Sequence, residues 1–372
     1  MSETIEANVA IIGAGPAGTA AAAHLGQLGV RDVVLVDRAD FPRDKTCGSG
    51  ISPKGIEVLR DLGVWRQIEP SAYWIKGIRI VTPAGYESVQ SAGSDVEAII
   101  CHRRTFDHVL LKSAVARGTR FVPNFSAAQA IEEDGRVKGF VARDGTEVRA
   151  RYTIVAGGSH CRIGVNNDKP RQVINAIMGW WDDVAFTPNV VEMIFDKMVV
   201  PYYGWLFPEG DKRVNIGITY EDPDNAKNAR QLFQAFLDKH YTQRMANATQ
   251  VGGWKGHPIH YSYNVKDLTG PGRFVIGEAG LMTHPATAEG IYQGMKSGML
   301  SAEAVADILS GRFTESESMR SYEARCKQAF QMSFLGGRVF RRLLKTPALD
   351  WAVRFGEQAF VKSGAARVMA HM

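Results

Sequence analysis

The chain has 372 residues, of which 45% are hydrophobic and 22% charged, and its formal net charge is +5. This length predicts two or three domains, and the composition is ordinary for a globular protein. The small, diffuse charge argues against a nucleic-acid partner, and no apolar run approaches the ~18 residues of a transmembrane helix.

The N-terminus and the cysteines bear on location. Residues 1–8 are polar and lead at once into strand-like sequence, which predicts no secretory signal. The four cysteines are widely spaced and form no C-x-x-C pair. They predict a reducing cytoplasmic location, no disulfide framework and no metal site.

The first predicted elements form a nucleotide-binding unit. An apolar strand at Val9–Ile12 leads into Gly13-Ala14-Gly15-Pro16-Ala17-Gly18. A helix from Thr19 to Leu28 follows, and then a second strand at Asp32–Asp37. This order of strand, glycine loop, helix and strand is the context in which G-x-G-x-x-G binds a dinucleotide.

Each glycine has a distinct expected role. Gly13 makes the tight turn, Gly15 lets backbone approach a pyrophosphate at the helix N-terminus, and Gly18 lets the helix pack closely on the strand. Asp37 follows Gly18 by 19 residues, close to the ~20 expected for the acid that binds a ribose. The fingerprint alone does not separate FAD from NAD.

Four later segments resemble one family. They are Arg38–Gly55 (RADFPRDKTCGSGISPKG), Arg103–Asp107 (RRTFD), Ile154–Gly164 (IVAGGSHCRIG) and Gly272–Gly298 (GRFVIGEAGLMTHPATAEGIYQGMKSG). From about residue 7 to 311 the chain is similar to the geranylgeranyl reductase family of FAD-dependent oxidoreductases, relatives of the p-hydroxybenzoate hydroxylase fold. The resemblance implies an enzyme with FAD as its cofactor.

The resemblance also implies an α/β fold. It consists of a glutathione-reductase-like FAD-binding Rossmann domain, an antiparallel-sheet substrate domain and a C-terminal helical segment. The expected limits are 1–72, 92–168 and 270–312 for the FAD-binding domain, 73–91 and 169–269 for the substrate domain, and 313–372 for the C-terminal helices.

Two of these segments carry candidate side chains. Lys45-Thr46-Cys47-Gly48 resembles the family's K-x-C-G, which implies a thiol beside the isoalloxazine ring that could donate a proton or tune the flavin. The alternative for Cys47 is a buried small hydrophobe. Arg103 matches an arginine near the cofactor's phosphates, or else is a solvated cation at a helix start. Asp107 is expected to support that helix N-terminus.

The third segment departs from the family. Relatives have Ala-Asp-Gly where this chain has Ala156-Gly157-Gly158, so no carboxylate is available there. Backbone can still pass the cofactor, but direct reduction by NAD(P)H becomes doubtful. The electron donor therefore stays open between NAD(P)H and another donor, such as a reduced electron-carrier protein.

The fourth segment carries the flavin-facing turn. A strand at Arg273–Ile276 ends in Gly277-Glu278, where relatives have Gly-Asp and the acid binds the ribityl chain. Glu278 is longer by one methylene and is expected to reach a hydroxyl. Pro285–Gly290 is expected to open a long helix whose N-terminus points at the flavin's N1–C2 edge and stabilises the anionic reduced form.

The fingerprint and the resemblance together imply a complete set of cofactor-binding residues. They are Gly13, Ala14, Gly15, Pro16, Ala17, Gly18, Asp37, Arg38, Thr46, Cys47, Gly48, Arg103, Ala128, Gly157, Gly158, Gly277, Glu278, Pro285, Gly290 and Ile291.

An aromatic motif marks the substrate side. Tyr203-Gly204-Trp205-Leu206-Phe207-Pro208 resembles the Y-x-W-x-F-P of the family's reductases. We expect a flat apolar slot above the flavin rather than a central strand, because Gly204 and Pro208 are poor strand residues. Strand-like segments at Val190–Val199 and Arg213–Tyr220 flank the motif, so it should sit on the large sheet of the substrate domain, and Tyr73–Ser91 is expected to add strands to that sheet.

The expected substrate-binding residues are Tyr203, Trp205, Phe207 and His284. The expected catalytic residues are Cys47, Tyr203 and Trp205. His257 and His260 lie in a predicted loop, GWKGHPIHY, and are less well placed than His284.

The C-terminal segment from Phe313 has helical periodicity. Phe334–Leu344 (FLGGRVFRRLL) mixes apolar and basic residues. We expect a helix packed on the core with a solvated basic face, and the alternative is peripheral contact with an anionic membrane.

Three hypotheses for function remain. The first is an FAD-dependent reductase that saturates carbon–carbon double bonds of an apolar, isoprenoid-like substrate, such as a prenyl lipid or quinone side chain. The second is a flavin monooxygenase or halogenase of an aromatic or polyketide-like metabolite, although a halogenase would carry W-x-W-x-I-P where Tyr203 and Phe207 stand. The third is a flavoprotein that only passes electrons to a partner.

Overall fold

The computed structural model describes residues 4–91, 98–165 and 171–355. Among the predicted domain limits, those at residues 1, 92, 168, 169 and 372 lie outside these ranges. The described chain forms two large sheets, a small third sheet and eight α-helices.

The first sheet is built on the predicted βαβ unit. Its parallel strands are, in spatial order, β18 (Arg273–Val275), β11 (Glu147–Val155), β1 (Thr4–Ile12), β2 (Val33–Val36) and β8 (Thr119–Val122). Three antiparallel strands extend it: β17 (Thr269–Gly270) on β18, β10 (Arg136–Ala142) on β11 and β9 (Ala127–Glu133) on β10. Val33–Val36 of β2 and residues 9–12 of β1 are buried on both faces and therefore read as apolar runs.

The second sheet has seven strands. Their order is β16 (Thr249–Tyr261), β12 (Gln172–Asp182), β15 (Arg213–Tyr220), β14 (Gly204–Pro208), β13 (Val190–Ile194), β5 (Gly77–Val81) and β6 (Glu87–Ser91). All neighbours are antiparallel except β13 and β5, which are parallel. The predicted loop that holds His257 and His260 is therefore wrong, because these residues belong to β16.

The third sheet is small and has three strands. It consists of β3 (Gly50–Ile51), β7 (Ala98–Ile100) and β4 (Tyr73–Ile75). The helices are α1 (Pro16–Gln27), α2 (Pro53–Asp61), α3 (Trp65–Ile68), α4 (Arg103–Ala116), α5 (Ala229–Tyr241), α6 (Ile291–Leu309), α7 (Glu315–Leu344) and α8 (Ala348–Phe355).

Helix packing positions the glycine loop. α1 begins at Pro16, three residues before the predicted Thr19, because proline is pre-organised for the first helical position. α6 crosses α1 closely: a Cβ on Gly298 would lie 2.4 Å from the Ala17 carbonyl oxygen, and one on Gly294 would lie 3.4 Å from the Ala17 Cβ. The strand end before α6 is thereby brought beside the glycine loop.

The three largest apolar clusters of the described residues occupy different parts of the core. One surrounds α1, α6 and α7 against the first sheet. A second covers one face of the second sheet and contains Tyr203, Trp205 and Phe207, while a third lies between the other face and α5. Among the described residues, no helix has the length and hydropathy needed to cross a membrane.

Candidate active site

The glycine loop has the geometry of a phosphate cradle. Gly13 has φ +98°, and a Cβ there would lie 2.5 Å from the Ala156 carbonyl oxygen. A Cβ on Gly18 would lie 1.9 Å from the Gly13 oxygen, so the first and third glycines are required by packing. At Gly15 the nearest atom to such a Cβ is an Arg43 guanidinium nitrogen at 3.9 Å. The open backbone at this helix N-terminus, with a cation above it, fits an anionic group.

Asp37 closes one side of the loop. Its carboxylate accepts hydrogen bonds from the Ala14 amide at 2.8 Å and the Ala39 amide at 2.9 Å. Each oxygen retains a further lone pair, so the carboxylate can still accept a hydroxyl. Arg38 is exposed beside it. Ala128 is exposed near the start of β9, three residues after Phe125, whose amide donates to the Asp37 carbonyl.

A second glycine segment runs beside Gly13. The Ala156 amide donates to the Ile12 carbonyl at 2.9 Å, which aligns the two loops. Gly158 has φ +73°, and a Cβ added there would meet no atom within 4 Å, whereas Gly157 is tight against Cys161. We call Gly13–Gly18 and the facing segment Ala156–Gly158 the cradle. Both of its sides are backbone, and the side formed by Ala156–Gly158 has no carboxylate.

Glu278 follows β18 and lies among cations. Its Oε1 accepts the His260 amide at 2.8 Å. Burial raises the pKa of Glu278 to about 7, and this rise is opposed by that hydrogen bond and by the charges of Lys45 and Arg103. Gly277, with φ +57°, donates its amide to Ser297 and packs against Ala17. Glu278 is thus held at the junction between the cradle and the second sheet.

The segment Pro285–Gly290 is a turn, and the prediction that it opens the helix is wrong. α6 begins at Ile291 with Gly290 at its N-cap. The His284 Nδ1 accepts the Ala286 and Thr287 amides at 3.3 and 3.1 Å, and these bonds close the turn. Ala288 has φ +58°, a conformation that no α-helix contains.

His284 lies between this turn and α7. It is buried, its ring packs edge-on to Phe334 with 5.9 Å between centroids, and a Cβ on Gly337 would lie 3.0 Å from its Cε1. Its amide also donates to the Glu289 carbonyl at 2.7 Å. The side chain expected to bind substrate therefore shapes the turn in this structure.

The aromatic motif lies on the second sheet, as predicted from its flanking strands, but it forms a central strand, contrary to the expectation from Gly204 and Pro208. β14 is hydrogen-bonded to β13 and β15 on its two sides. Gly204 is needed there because its Cβ would lie 2.1 Å from the Phe236 ring of α5. Pro208 occupies the last position of the strand. Since strand side chains alternate, the aromatic residues point to the face opposite α5.

That opposite face meets the Cys47 loop. A Cβ on Gly48 would lie 3.2 Å from the Phe207 ring and 3.5 Å from the Trp205 Nε1. Trp205 is fixed by donating from Nε1 to the Asn215 Oδ1 at 2.7 Å, and its ring lies 6.4 Å from that of Tyr203 and 6.1 Å from that of Phe207. We call the side chains of Tyr203, Trp205 and Phe207 the aromatic face.

The hydroxyl of Tyr203 is already engaged. It donates to the Thr287 carbonyl at 2.5 Å, which ties the aromatic face to the turn before α6. Burial raises the pKa of Tyr203 well above its ordinary value. Both observations favour a positioning role over proton donation.

Cys47 lies half-buried beside cationic side chains. Its Sγ accepts the Ser49 amide at 3.3 Å, and Arg103 is within hydrogen-bonding reach. Arg103 also makes two bonds to Asp107, at 2.7 and 2.8 Å, and Arg43 approaches the same carboxylate at 3.3 Å. Asp107 therefore binds two guanidinium groups, one of them on the first residue of α4, and its role in supporting the helix N-terminus stays a prediction.

Sequence reasoning passed over a polar trio beside Cys47. The Lys45 Nζ donates to the His257 Nε2 at 2.9 Å, and the Ser159 Oγ lies 2.9 Å from the same nitrogen. Burial and the neighbouring Arg103 lower the pKa of Lys45 to about 8, while burial lowers that of His257 to about 3. Only the position of Lys45 in K-x-C-G hinted at this trio.

Glu289 was also missed. It is buried in the turn, its Oε2 accepts from Gln293 at 3.2 Å, and its Oε1 has no hydrogen-bond partner. Burial raises its pKa to about 7, with nearby Ser52 opposing the rise. A lone acid between Ala288 and Gly290 was the only signal in the sequence.

Taken together, these groups fit a flavin dinucleotide. The cradle offers open backbone at a helix N-terminus, Asp37 offers acceptors at one end, and Gly277 and Glu278 continue toward the aromatic face. A family profile described as an FAD binding domain matches residues 6–333. The chain belongs to that family. It is an FAD-dependent oxidoreductase, and the predicted resemblance is confirmed.

Named relatives cover most of this flavoprotein. A menaquinone reductase of Mycobacterium tuberculosis is 31% identical over 323 residues, which are 82% of this chain and 77% of the relative. A digeranylgeranylglycerophospholipid reductase of Methanothermobacter thermautotrophicus is 29% identical over 340 residues, covering 87% and 83%.

Solved structures share the fold of this flavoprotein. A geranylgeranyl bacteriochlorophyll reductase-like protein from Thermoplasma acidophilum has a TM-score of 0.83 and 20% identity, covering 99% of this chain and 92% of its own. A flavin-dependent brominase has a TM-score of 0.81 and 18% identity, covering 98% and 94%. At these identities the structural likeness confirms the p-hydroxybenzoate hydroxylase-like fold. It does not establish which reaction the protein catalyses.

Proposed function

We propose that this flavoprotein saturates carbon–carbon double bonds of an apolar, isoprenoid-like substrate, in the class of prenyl lipids or quinone side chains. The observation that carries the proposal is the buried aromatic face packed against the Cys47–Gly48 loop. Such a surface suits an alkene chain, which offers no hydrogen bonds and gains from apolar burial. The reductases among the named relatives support the same substrate class.

In this proposal the cradle residues hold the cofactor. Gly13, Gly15 and Gly18 receive the pyrophosphate, Asp37 a ribose, and Glu278 the ribityl chain. Bound FAD supplies the hydride for one alkene carbon, since the hard chemistry belongs to the cofactor. The protein contributes orientation and exclusion of water.

Cys47 is our proposed proton donor to the second alkene carbon. Its sulfur borders the aromatic face, and Arg103 lies close enough to compensate the negative charge left after donation. Tyr203 instead positions the turn through its bond to the Thr287 carbonyl. Trp205 positions the slot, because its indole is fixed by Asn215.

Anaerobic single-turnover reduction tests this function. The holoenzyme would be reduced with dithionite, mixed with a short-chain prenyl quinone, and the product analysed by mass spectrometry. Because dithionite also reduces the quinone ring to the quinol, the product would be reoxidised in air before analysis, and we expect it to retain two added hydrogen atoms in the prenyl side chain. Dithionite makes the test independent of the physiological donor, which we propose to be a reduced carrier protein, since Ala156-Gly157-Gly158 offers no carboxylate for NAD(P)H use.

Substitution of Cys47 tests the proton donor. Cys47→Ala should retain FAD but lose about 100-fold in the reduction rate, a usual contribution of a positioned general acid. Cys326→Ser, buried in α7, is the matched control and should keep the rate. An unchanged rate in Cys47→Ala would remove Cys47 from the mechanism.

The product also decides between the hypotheses. Insertion of oxygen or halogen in air, without anaerobic saturation, would establish the monooxygenase or halogenase alternative. No change in any apolar substrate, with electrons passed to an acceptor protein, would leave electron transfer alone.

A further inference from the structure

Helix α7 has a buried face that borders the proposed substrate slot. Leu344 belongs to the same apolar cluster as the aromatic face, and the ring of Phe340 lies 6.3 Å from that of Phe195 in this cluster. One turn earlier, Gly337 packs against His284 and Pro285. α7 therefore forms an outer wall of the site.

Arg341 fixes this wall in place. Its guanidinium donates to the hydroxyls of Tyr261 and Tyr263 and to the Glu221 carboxylate. It also lies 4.6 Å from the centroid of the Tyr202 ring. Because Arg341 is buried, the rotation of α7 about its axis is set, and so is the face that it turns outward.

The outward face of α7 is apolar. Met332, Leu335, Val339 and Leu343 are 77%, 36%, 55% and 48% exposed. Their spacing of three, four and four residues puts them on one side of the helix. On α8, Trp351 and Phe355 are 67% and 69% exposed and four residues apart. We call these six side chains the C-terminal face.

Exposed apolar side chains are concentrated there. Of the ten large hydrophobic side chains that are exposed in the described part of the chain, six belong to the C-terminal face. Single exposed hydrophobics are normal, but a contiguous group such as the four side chains on α7 marks an interaction surface.

The charge around this face is positive. Residues 332–355 contain five arginines and lysines and one acid, Asp350, whereas residues 315–331 contain three of each sign. The exposed cations are Arg338, Arg342, Lys345 and Arg354. The carboxylate of Asp350 accepts a hydrogen bond from the Ala84 amide at 2.9 Å. Lys345 is partly balanced by Glu221 at 3.4 Å.

We propose that the C-terminal face docks on an anionic phospholipid bilayer. The apolar stripe would enter the acyl boundary, Trp351 would lie at the headgroup level, and the flanking cations would contact lipid phosphates. α7 would then separate the bilayer from the aromatic face by the thickness of one helix. This inference rests on the proposed function, because a membrane lipid could pass around α7 into the slot without crossing water.

Vesicle flotation of the full-length holoenzyme tests the surface. We expect flotation with vesicles of phosphatidylglycerol and phosphatidylcholine, and little with phosphatidylcholine alone. Arg342→Glu should weaken binding to the anionic vesicles by roughly 30-fold, since each cation near such a surface contributes about fivefold and the reversal changes two charges. The double variant V339S/W351S should weaken binding at least as strongly.

The matched control is Val89→Ser, which removes an apolar side chain of similar exposure (60%) from β6. It should float like the parent. Equal losses in control and test variants, or no flotation of the parent, would overturn the proposal. A concentration-dependent dimer in sedimentation that V339S/W351S abolishes, without vesicle binding, would overturn it in favour of a second copy.

An activity readout separates this inference from the proposed function. V339S/W351S should reduce a short, soluble alkene at the parental rate but turn over vesicle-embedded long-chain substrate several-fold more slowly. If no alkene is reduced by the parent while flotation holds, the proposed function fails and the docking surface stands. Equal turnover of embedded substrate by parent and variant would contradict delivery from the bilayer.

Discussion

Single residues of the cradle divide into those that the fold needs and those that the ligand needs. A Cβ on Gly18 would collide with the Gly13 carbonyl at 1.9 Å, whereas a Cβ on Gly15 meets only the end of Arg43 at 3.9 Å. Space is therefore left at Gly15 that the packing of the protein does not use, and a pyrophosphate of the size expected at such a loop would fill it.

We predict that Gly15→Ala separates folding from flavin binding. In the absence of FAD, the free energy of unfolding of the variant should stay within about 1 kcal/mol of the parental value. Glycine-to-alanine changes that cause no clash alter stability only by this amount. The FAD affinity of the variant should fall at least ~10-fold, equivalent to about 1.4 kcal/mol, as measured by flavin fluorescence titration. Gly18→Ala is the contrasting variant and should lose both stability and flavin.

The protonation state of Glu289 is set by its buried environment. The folded chain buries its carboxyl and leaves one oxygen without a partner, which raises its pKa from 4.5 to about 7. The unfolded chain releases the same proton near pH 4.5. Between these values the folded state binds more protons, so this group makes stability fall as the pH rises.

The substitution Glu289→Gln should remove that dependence. We expect its melting temperature, relative to the parent holoenzyme, to increase from pH 5 to pH 8, because glutamine carries no proton to lose. Differential scanning fluorimetry across this range is the measurement. Parallel curves for the two proteins would show that Glu289 is ionised in the folded state at all these values.

At the scale of elements, packing overrides local propensity in β14. Gly204 disfavours a strand by propensity, yet Phe236 of α5 leaves no room for any larger residue on that side. The aromatic face is consequently aligned on a rigid central strand rather than on a loop. That arrangement holds the aromatic face in a single geometry.

Overpacking at this contact should be costly. Gly204→Ala is predicted to destabilise the protein by about 1–3 kcal/mol, the range for inserting a methyl group into a filled core. Gly210→Ala is the control, because no atom lies within 4 Å of its added Cβ. Urea unfolding of both holoenzymes gives the comparison, and equal midpoints would refute the tight contact between β14 and α5.

For the whole molecule, α7 joins parts that are distant in sequence. It packs against the turn at His284, the apolar cluster of the second sheet and, near its N-terminus, the first sheet, where Glu315 accepts from Arg136 at 2.6 Å. Arg341 is the main polar anchor between α7 and the second sheet.

Removal of this anchor should weaken the entire fold. Arg341→Met leaves Glu221 and two tyrosine hydroxyls without their cation, and we expect a loss of about 1–3 kcal/mol. This figure is below that of a fully buried pair because the Glu221 side chain is 31% exposed. Arg342→Met, on the exposed side, should change the unfolding midpoint little in the same chemical denaturation experiment.

Local sequence was sufficient for features that depend on a few neighbouring residues. The glycine loop between β1 and α1, the start of α4 at Arg103 and the limits of β15 were predictable because turn chemistry, helix capping and residue periodicity act over short spans. The family resemblance carried the fold and the cofactor class further, through motifs spread from residue 38 to 298.

Tertiary structure alone decided the features that need residues far apart in the chain. The central position of β14 required α5 behind it, the link between the turn at 284–290 and the second sheet required the Tyr203 hydroxyl on the Thr287 carbonyl, and the second ion pair of Asp107 required Arg43. The exposure of the C-terminal face also depends on how α7 packs. Local propensity contains none of these contacts, because their energies arise only when the chain brings distant side chains together.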